Sequence, residues 1–386
     1  MTEATDRRIR DWREEWFDFD ETTYLNAAGQ GPMPKVSLRA TEAALEWKKF
    51  PHKTPESAYF EIPNRIRSSI AALIGGRAEE IALTTGASAG LAAVAYGLPW
   101  TPGDEIVTAQ GEFPVQFTAW KPLEAREGIR LRVVSPRDRF ISAEDVVAAL
   151  TPRTRLVSLS LVRFDDGSLL DAARVAAACR AQGTLLLLDV SQCCGAIPID
   201  MRQLGADFAV CAGYKWLLSP YGTGFFWLRA ELIDTLRPGP FYWMALEGAD
   251  RFHSLVFDDP RPASGARRWD APETSSYFNL AGMNASLDFI LEAGPETVSR
   301  HNRALIETLF ERLPRDRYVL SSPADADCRG PYGCFAARTP EETQALHERL
   351  AKHNIVVSLR EQNLRVAPHL YNTERDIDRL IACSMA

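Results

Sequence analysis

Residues 184–228 read TLLLLDVSQCCGAIPIDMRQLGADFAVCAGYKWLLSPYGTGFFWL. Three runs within this stretch, TLLLLDV, DFAVCA and TGFFWL, are almost entirely apolar. Such runs are typical of strands that are buried on both faces of a parallel sheet. The first run ends in Asp189, and the second leads to Tyr214 and Lys215. Because open α/β sheets bind ligands at the carboxyl ends of their strands, the stretch predicts an acid and an amine at one ligand-binding edge.

The same pattern extends towards the N-terminus. Four further apolar runs precede this stretch: EEIALT (79–84), DEIVTA (104–109), RLRVVS (130–135) and TRLVSLSL (154–161). They alternate with segments whose apolar residues recur at helical spacing, at residues 87–98, 117–128, 142–150 and 171–183. This order predicts an α/β fold with a mostly parallel, doubly wound sheet whose strands are joined by crossover helices.

The alternation stops at residues 237–268, which are rich in Pro, Gly and Asp and predict a long loop. The last part of the chain has its own pattern of helices and short strands, which predicts a smaller α+β domain. We expect an N-terminal segment at 1–20 that packs with the small domain, a large domain at 21–290 and a small C-terminal domain at 291–386.

Composition excludes several classes of function. The 386 residues carry a formal net charge of -7 without a basic stripe, so no nucleic acid partner is expected. The first residues lack the apolar core of a secretion signal, and no stretch reaches the roughly 18 apolar residues of a membrane span. The seven cysteines form neither a CxxC pair nor a set with zinc spacing. We therefore expect a cytoplasmic protein with reduced thiols, no membrane contact and no metal site.

Three signals carry chemistry, and each has a simpler alternative. Asp189 ends a buried strand, where a carboxylate can also be a structural ion-pair partner or a Mg²⁺ ligand. Lys215 at such an edge is commonly an ion-pair partner, but a desolvated lysine becomes an imine-forming nucleophile. Gly86, Ala87 and Ser88 lie where a strand gives way to a helix, so that backbone N–H groups can hold a phosphate. An ordinary capped helix is the alternative there.

Together the three signals describe one ligand. It has a phosphate for the start of the helix, an aldehyde for Lys215 and a ring nitrogen that Asp189 keeps protonated. Pyridoxal 5′-phosphate (PLP) has all three groups, and its protonated ring withdraws electrons from a carbanion at the substrate α-carbon. The chain has no GxxxxGK[ST] motif, and GQGPMP and GTGFFW lack the third glycine of a dinucleotide fingerprint.

The residues from Asp189 onwards resemble the class V aminotransferases, a branch of the fold-type I PLP enzymes that includes cysteine desulfurases, kynureninase and isopenicillin N epimerase. The resemblance rests on Asp-x-x-Gln, on the gap of about two dozen residues to Lys215 and on the Gly-x-Gly strand that follows. It extends from YLNAAGQGPMP near the start to LRVAPHLYNTERDID near the end.

The resemblance implies roles for the residues around the cofactor. Asp189 would pair with the ring nitrogen, Gln192 would hydrogen-bond the ring oxygen, and Lys215 would be the Schiff-base residue and proton shuttle. Phe113 in GEFPVQFTAW matches the aromatic residue that stacks on the ring, with a plain core residue as the alternative.

This chain departs from the family at the phosphate. Ala212 stands where relatives have a phosphate-binding Ser or Thr, and Tyr214 stands in place of the usual histidine, whose contact it would replace.

The resemblance also implies how the substrate is held. Arg365 falls where the family binds the substrate α-carboxylate, which suits a guanidinium fork. Asn26 and Ala28 match the entry strand near that carboxylate. Thr274 resembles the threonine that reaches the phosphate of a neighbouring subunit, which implies a homodimer with shared active sites.

Two departures argue against a cysteine desulfurase. Phe113 replaces the histidine that those enzymes use, and the segment before Arg365 has no cysteine and little room for a loop. The substrate-aligning polar residue could be Arg163 or Asp165.

The resemblance implies an enzyme that acts on an amino-acid substrate through an external aldimine, with transamination as the leading prediction. A C–S lyase or epimerase of the same family is the alternative. A protein of this fold that binds its ligand without turnover is an alternative of another class. Residues 47–60 and the loop at 237–268 are expected to shape the substrate pocket.

Overall fold

A computed structural model describes residues 11–237, 242–255, 258–273 and 276–385. The strands within these ranges are β1 Thr23–Tyr24, β2 Ile81–Thr84, β3 Glu105–Ala109, β4 Arg130–Val134, β5 Thr154–Ser160, β6 Leu185–Asp189, β7 Phe208–Ala212, β8 Gly224–Leu228, β9 Tyr318–Leu320, β10 Gly333–Ala337, β11 Ile355–Val356, β12 Ser358–Arg360 and β13 Asn363–Val366. The helices are α1 Lys35–Lys49, α2 Ala58–Ile74, α3 Ala87–Gly97, α4 Val115–Thr118, α5 Lys121–Glu127, α6 Ala143–Ala149, α7 Ala172–Gln182, α8 Met201–Leu204, α9 Tyr277–Ala293, α10 Pro295–Arg312, α11 Pro340–Lys352 and α12 Glu374–Met385.

The seven apolar runs form one sheet, in the order β2-β8-β7-β6-β5-β3-β4. Neighbouring strands from β4 to β7 pair in parallel, which confirms the prediction of a mostly parallel α/β sheet. The expectation of parallel pairing fails at β8, which is antiparallel to both β7 and β2. Only residues 213–223 join β7 to β8. This connection contains no crossover helix, so the chain turns back antiparallel.

The sheet direction gathers several strand ends at one edge. β5 ends at Ser160, β6 at Asp189 and β7 at Ala212, and all three strands run the same way. The helix α3 begins directly after β2, beside the turn at Gly86. The sequence therefore places a carboxylate, the Lys215 loop and a helix N-terminus at the same edge.

Two apolar layers cover the sheet. The larger contains Ile66 and Ile70 of α2 and Leu287 of α9, packed with β-strand residues and with Trp16 from the N-terminal segment. The other contains Leu91 of α3. The residues of β7 and β8 are buried throughout, and those of β6 are buried at all positions but Leu185, which explains why these runs lack polar alternation. The edge strand β4 is partly exposed.

The C-terminal part has an antiparallel sheet of its own, in the order β12-β13-β10-β9. The short strands β11 and β12 are separated at Val357, because β11 pairs with β1 whereas β12 pairs with β13. Trp16 packs edge-on against Phe289 of α9 and against Tyr371 beyond β13. The domain boundaries at residues 20 and 290 stay predictions. Within the described ranges, none of the helices is long and apolar enough to cross a membrane.

Candidate active site

A cavity of about 250 Å³ lies at the carboxyl edge of the sheet. Its lining includes the strand-end carboxylate, the lysine and the start of α3. The lining residues are Thr85, Gly86, Ala87, Ser88, Ala89, Phe113, Val115, Ser160, Val162, Phe164, Asp189, Ser191, Gln192, Ala212, Tyr214, Lys215 and Tyr221. The structure thus brings together eight of the nine residues predicted to contact the cofactor. The ninth, Thr274, lies outside the described residues.

Lys215 contributes an amine to the lining of this cavity. Its side chain is buried, and burial lowers its pKa to about 8, with Arg365 acting in the same direction and Asp189 opposing it. Among the described residues, no carboxylate lies within the 4.0 Å of an ion pair with Nζ. The amine lies 5.3 Å from the centre of the Phe113 ring. These observations favour a nucleophilic amine over the structural ion-pair alternative.

Asp189 presents one oxygen to the cavity. Its Oδ1 accepts a 2.8 Å hydrogen bond from the backbone N–H of Ser191, which fixes the carboxylate at the end of β6. The other oxygen accepts no hydrogen bond from a described residue, and the side chain lines the cavity. A charged oxygen held in this way suits a protonated ring nitrogen.

The start of α3 forms another part of the cavity wall. Gly86 has a φ of 151°, which a residue with a side chain rarely adopts, and it carries the chain from β2 into the helix. The hydroxyl of Thr84 donates to the Gly86 carbonyl at 3.0 Å and fixes this turn. The first N–H groups of a helix have no partner within the helix. Those of Ala87 and Ser88 therefore suit a phosphate.

Ser191 and Tyr221 also line the cavity but escaped the sequence analysis. Ser191 accepts a 2.9 Å hydrogen bond from the N–H of Ala212 through Oγ, so its own O–H can donate towards the cavity. The ring of Tyr221 lies 4.4 Å from that of Tyr214 and is 71% exposed at the cavity mouth. The pKa of Tyr214 is raised by burial and by Tyr221. Ser191 lies between the predicted site residues Asp189 and Gln192, and this position could have indicated it. No local sequence pattern indicated Tyr221.

The segment before Phe113 is anchored by a buried carboxylate. Glu112 accepts hydrogen bonds from the backbone N–H and the hydroxyl of Ser160 at 2.8 and 2.6 Å. Burial raises the pKa of Glu112, although Arg163 lowers it. Arg163 donates to the carbonyls of Gln110 and Gly111 at 3.0 and 2.8 Å. Glu112 and Arg163 thus fix the backbone that places the Phe113 ring at the cavity.

Arg163 and Asp165 were the two candidates for a substrate-aligning group. Nη2 of Arg163 and Oδ2 of Asp165 form an ion pair at 2.9 Å, and the Arg163 side chain is 9% exposed. Neither residue lines the cavity. Their observed contacts support the loop, and the aligning role stays open.

The predicted substrate residues lie behind the cavity wall. Nη1 of Arg365 donates to the carbonyl of Phe164 at 2.8 Å, and Nη2 donates to the hydroxyl of Ser358 at 3.4 Å. That hydroxyl donates in turn to the side chain of Asn26. Among the described residues, Nε of Arg365 has no hydrogen-bond partner. A buried guanidinium with an unused donor suits a carboxylate.

Ala28 contributes through its backbone. Its carbonyl accepts a 3.2 Å hydrogen bond from Nε2 of Gln192, whose Oε1 accepts one from Trp216 at 3.1 Å. These contacts hold the Gln192 amide at the cavity wall. The roles assigned to Asn26, Ala28, Gln192 and Arg365 stay predictions.

Comparison with known proteins identifies the family. The family model described as aminotransferase class V matches residues 23–380. The chain belongs to the class V aminotransferase family. It is 30% identical over 383 residues to an isopenicillin N epimerase of Streptomyces clavuligerus, with 92% of each chain covered. It is 26% identical over 387 residues to a probable cysteine desulfurase of Methanothermobacter thermautotrophicus, again with 92% of each covered.

Solved structures confirm the fold. A variant of C-DES with glycine covalently linked to its PLP cofactor matches with a TM-score of 0.86 and 23% identity, covering 96% of this chain and 98% of the other. A complex of the cystine C–S lyase C-DES with its product cysteine persulfide matches with a TM-score of 0.84 and 24% identity, covering 94% and 96%. The class V chain therefore has the fold-type I architecture, and its cofactor is PLP.

The site residues fit this cofactor. Around one cavity, the open oxygen of Asp189 would serve as an acceptor, the desolvated Lys215 as a nucleophile and the start of α3 as a phosphate site. The segment before Arg365 also agrees with the expectation that it has little room for a loop. β12 and β13 are joined by a tight turn at Glu361 and Gln362, which have positive φ values of 44° and 67°. No thiol of a described residue lines the cavity.

Proposed function

We propose that this class V enzyme is an aminotransferase that binds PLP as a Schiff base on Lys215. The observation that carries the proposal is the buried amine of Lys215, which has a lowered pKa and shares one cavity with Asp189 and Phe113. When bound, PLP supplies an aldehyde for the substrate amine and a ring that withdraws electrons from the α-carbon.

The protein residues would orient the two ligands. The free oxygen of Asp189 would accept the ring N–H, the start of α3 would bind the phosphate, and the Phe113 ring would cover one ring face. Arg365, which lies behind the wall at Phe164, would bind the substrate carboxylate through its guanidinium group, as the family resemblance implies. This arrangement would fix the α-carbon beside Nζ of Lys215.

Lys215 would then transfer a proton. With a pKa of about 8, its amine has an appreciable neutral fraction near pH 7 and can accept the α-proton of the substrate. In transamination the same ammonium group would hold that proton at Nζ until it is returned. Burial of the amine limits exchange of that proton with water.

A C–S lyase or epimerase is the second candidate. The epimerase is supported by the similarity of this chain to an isopenicillin N epimerase that is 30% identical to it. The three reactions use the same residues, and they differ in the bond that breaks or in where the proton returns. The sequence and the site geometry favour none of the relatives' substrates.

One experiment separates these reactions. The purified enzyme is mixed with a panel of L- and D-amino acids, and its absorbance, released products and substrate chirality are followed. Conversion of the cofactor to pyridoxamine phosphate, with release of a 2-oxo acid, supports the aminotransferase. Release of pyruvate or sulfide without that conversion supports the lyase, and inversion of the α-carbon supports the epimerase. A protein that binds PLP but changes none of the amino acids contradicts the proposal of an enzyme.

We also propose that the enzyme is a homodimer with shared active sites in the cytoplasm. The family resemblance implies that Thr274 reaches the neighbouring subunit, which supports a dimer. Tyr221 supports it as well, because a large aromatic side chain that is 71% exposed at a cavity mouth favours cover by a second chain. Sedimentation over a range of concentrations tests this, and a fully active monomer would contradict it. The seven free cysteines suit a reducing compartment.

A further inference from the structure

Trp216 follows Lys215 in the chain, but its side chain is not part of the described cavity lining. The indole ring is buried, with the Tyr332 ring 6.2 Å away at an interplanar angle of 10° and the His369 ring 5.9 Å away at 30°. Its Nε1 donates a hydrogen bond of 3.1 Å to Oε1 of Gln192, which does line the cavity. Close packing between two rings restricts the indole to one orientation, and with it the direction of the N–H group.

The two hydrogen-bond partners of the Gln192 amide differ in kind. The indole N–H of Trp216 can only donate, whereas the carbonyl of Ala28, which lies 3.2 Å from Nε2, can only accept. Exchanging the two ends of the amide would set one N–H against another and one oxygen against another. Gln192 is 5% exposed, so this exchange would leave buried polar groups without partners. The two partners together therefore determine which end of the amide is the oxygen.

This orientation leaves a hydrogen-bond donor for the cofactor. Nε2 of Gln192 carries two hydrogens, and the bond to Ala28 uses one of them. The other has no acceptor among the described residues. A ring oxygen with negative charge is stabilised by a donor and repelled by an acceptor. The orientation of the amide thus suits the contact with the ring oxygen that the family resemblance implies for Gln192.

We propose that Trp216 is a positioning residue, whose indole N–H holds the amide oxygen of Gln192 so that the amide N–H is directed at the ring oxygen of PLP. The inference rests on the proposed Schiff base at Lys215, but not on the reaction that follows. Without the indole N–H, the buried amide oxygen has no donor and turns towards the cavity. There it faces the ring oxygen, and the two acceptors repel each other.

The absorbance of the bound cofactor measures this contact. In the yellow form the ring oxygen shares a proton with the Lys215 nitrogen, and after loss of that proton the oxygen carries its charge alone. A donated hydrogen bond stabilises the second state more, which lowers the pH midpoint of the colour change. Trp216→Phe should therefore raise the midpoint by about one pH unit, or about tenfold in proton affinity. The titratable side chains that line the cavity, Asp189, Tyr214, Lys215 and Tyr221, are the same in both proteins.

Gln192→Leu separates an effect through the amide from a general disturbance of the Lys215 loop. This change removes the amide and should raise the midpoint by a similar amount, so that adding Trp216→Phe has no further effect. A displacement of Lys215 by the smaller phenylalanine ring would instead add to the effect of Gln192→Leu. Trp227→Phe is the matched control, because its buried indole N–H also donates to a side chain, Glu80, at 3.2 Å, but outside the cavity lining. It should leave the midpoint unchanged.

Incorporation of 3-benzothienylalanine at position 216 provides a second test if Trp216→Phe does not fold. It replaces the indole N–H with sulfur and keeps both fused rings, so the midpoint should rise in the same way. An unchanged midpoint in a folded, yellow protein without the N–H would overturn the role of Trp216 and leave the Schiff base intact. An equal shift by Trp216→Phe with and without the Gln192 amide would overturn it as well. A parent enzyme that stays colourless after PLP is added would overturn the proposed Schiff base, and this inference with it.

Discussion

Nη1 of Arg365 donates a 2.8 Å hydrogen bond to the backbone carbonyl of Phe164. The Phe164 ring lines the Lys215 cavity and packs edge-on against Phe113, with ring centres 5.3 Å apart. The residue proposed to bind the substrate carboxylate is therefore connected to the residue proposed to cover the cofactor ring. A change at Arg365 can act on the substrate directly or on the Phe113 wall through Phe164.

Arg365→Lys separates these two effects. The lysine keeps the positive charge but loses the planar fork, so we expect amino-acid affinity to fall by roughly tenfold or more. A primary amine that lacks the α-carboxylate should bind the variant and the parent equally well. Spectral titration with an amino acid and its decarboxylated analogue measures both affinities.

The control for this experiment is Arg338→Lys. Arg338 belongs to the same part of the chain, and its observed hydrogen bonds go to the backbone carbonyls of Arg315 and Asp316. It should leave both affinities unchanged. If Arg365→Lys instead abolished the yellow absorbance of the bound cofactor, Arg365 would be a support for the cavity wall and not a substrate ligand.

The lowered pKa of Lys215 predicts how apoenzyme takes up PLP. Only the neutral amine attacks the aldehyde, and the neutral fraction reaches one half at a pKa of about 8, compared with an ordinary 10.5. The uptake rate should therefore rise with pH and level off above about pH 8. Stopped-flow absorbance measures this rate. Arg360→Gln removes a charge that lowers the pKa of Lys215, so the inflection should move to higher pH. A rate that still climbs near pH 10.5 would contradict the buried-amine assignment.

Asp189→Asn tests the acceptor for the ring nitrogen. Its amide oxygen can still accept from Ser191, which preserves the turn after β6, but its NH₂ group cannot accept a ring N–H. We expect the variant to fold and bind PLP, while removal of the substrate α-proton slows by about 10²–10³-fold. Exchange of that proton in D₂O, followed by NMR, measures the rate. Normal exchange in a correctly loaded variant would rule out this role of Asp189.

The strands β5 to β8 of the large sheet were predictable because almost all of their residues are buried. Runs such as those ending at Asp189 and Ala212 contain almost no polar residues, so their bounds are visible in the sequence. The same property places Asp189 and Lys215 at one edge, since neighbouring parallel strands end together. The antiparallel course of β8 depends on the short connection before it, which composition alone did not reveal.

Contacts between distant segments were not predictable. Glu112 binds Ser160, which is 48 positions away, and Arg365 binds Phe164 across 201 positions. No local pattern indicates such a partner, because each residue would also be compatible with an exposed loop. The contact of Tyr221 with Tyr214 was not predictable either, since it depends on the turn between β7 and β8.

Gly31→Ala tests how closely the entry segment supports Lys215. The N–H of Gly31 donates to the Tyr214 carbonyl at 2.9 Å, and an added Cβ would lie only 2.0 Å from the Lys215 carbonyl oxygen. Backbone atoms must move to relieve this contact, so we expect Lys215 to shift and the turnover rate to fall by about 10²-fold. Gly183→Ala is the control, because alanine there is strained by the φ of 72° although its Cβ meets nothing within 4 Å. Thermal unfolding and PLP absorbance are measured for both variants. If both variants lose the same amount of stability but only Gly31→Ala loses turnover, the contact between Gly31 and the Lys215 loop is supported. Normal turnover in Gly31→Ala would show that the Lys215 loop does not depend on this contact.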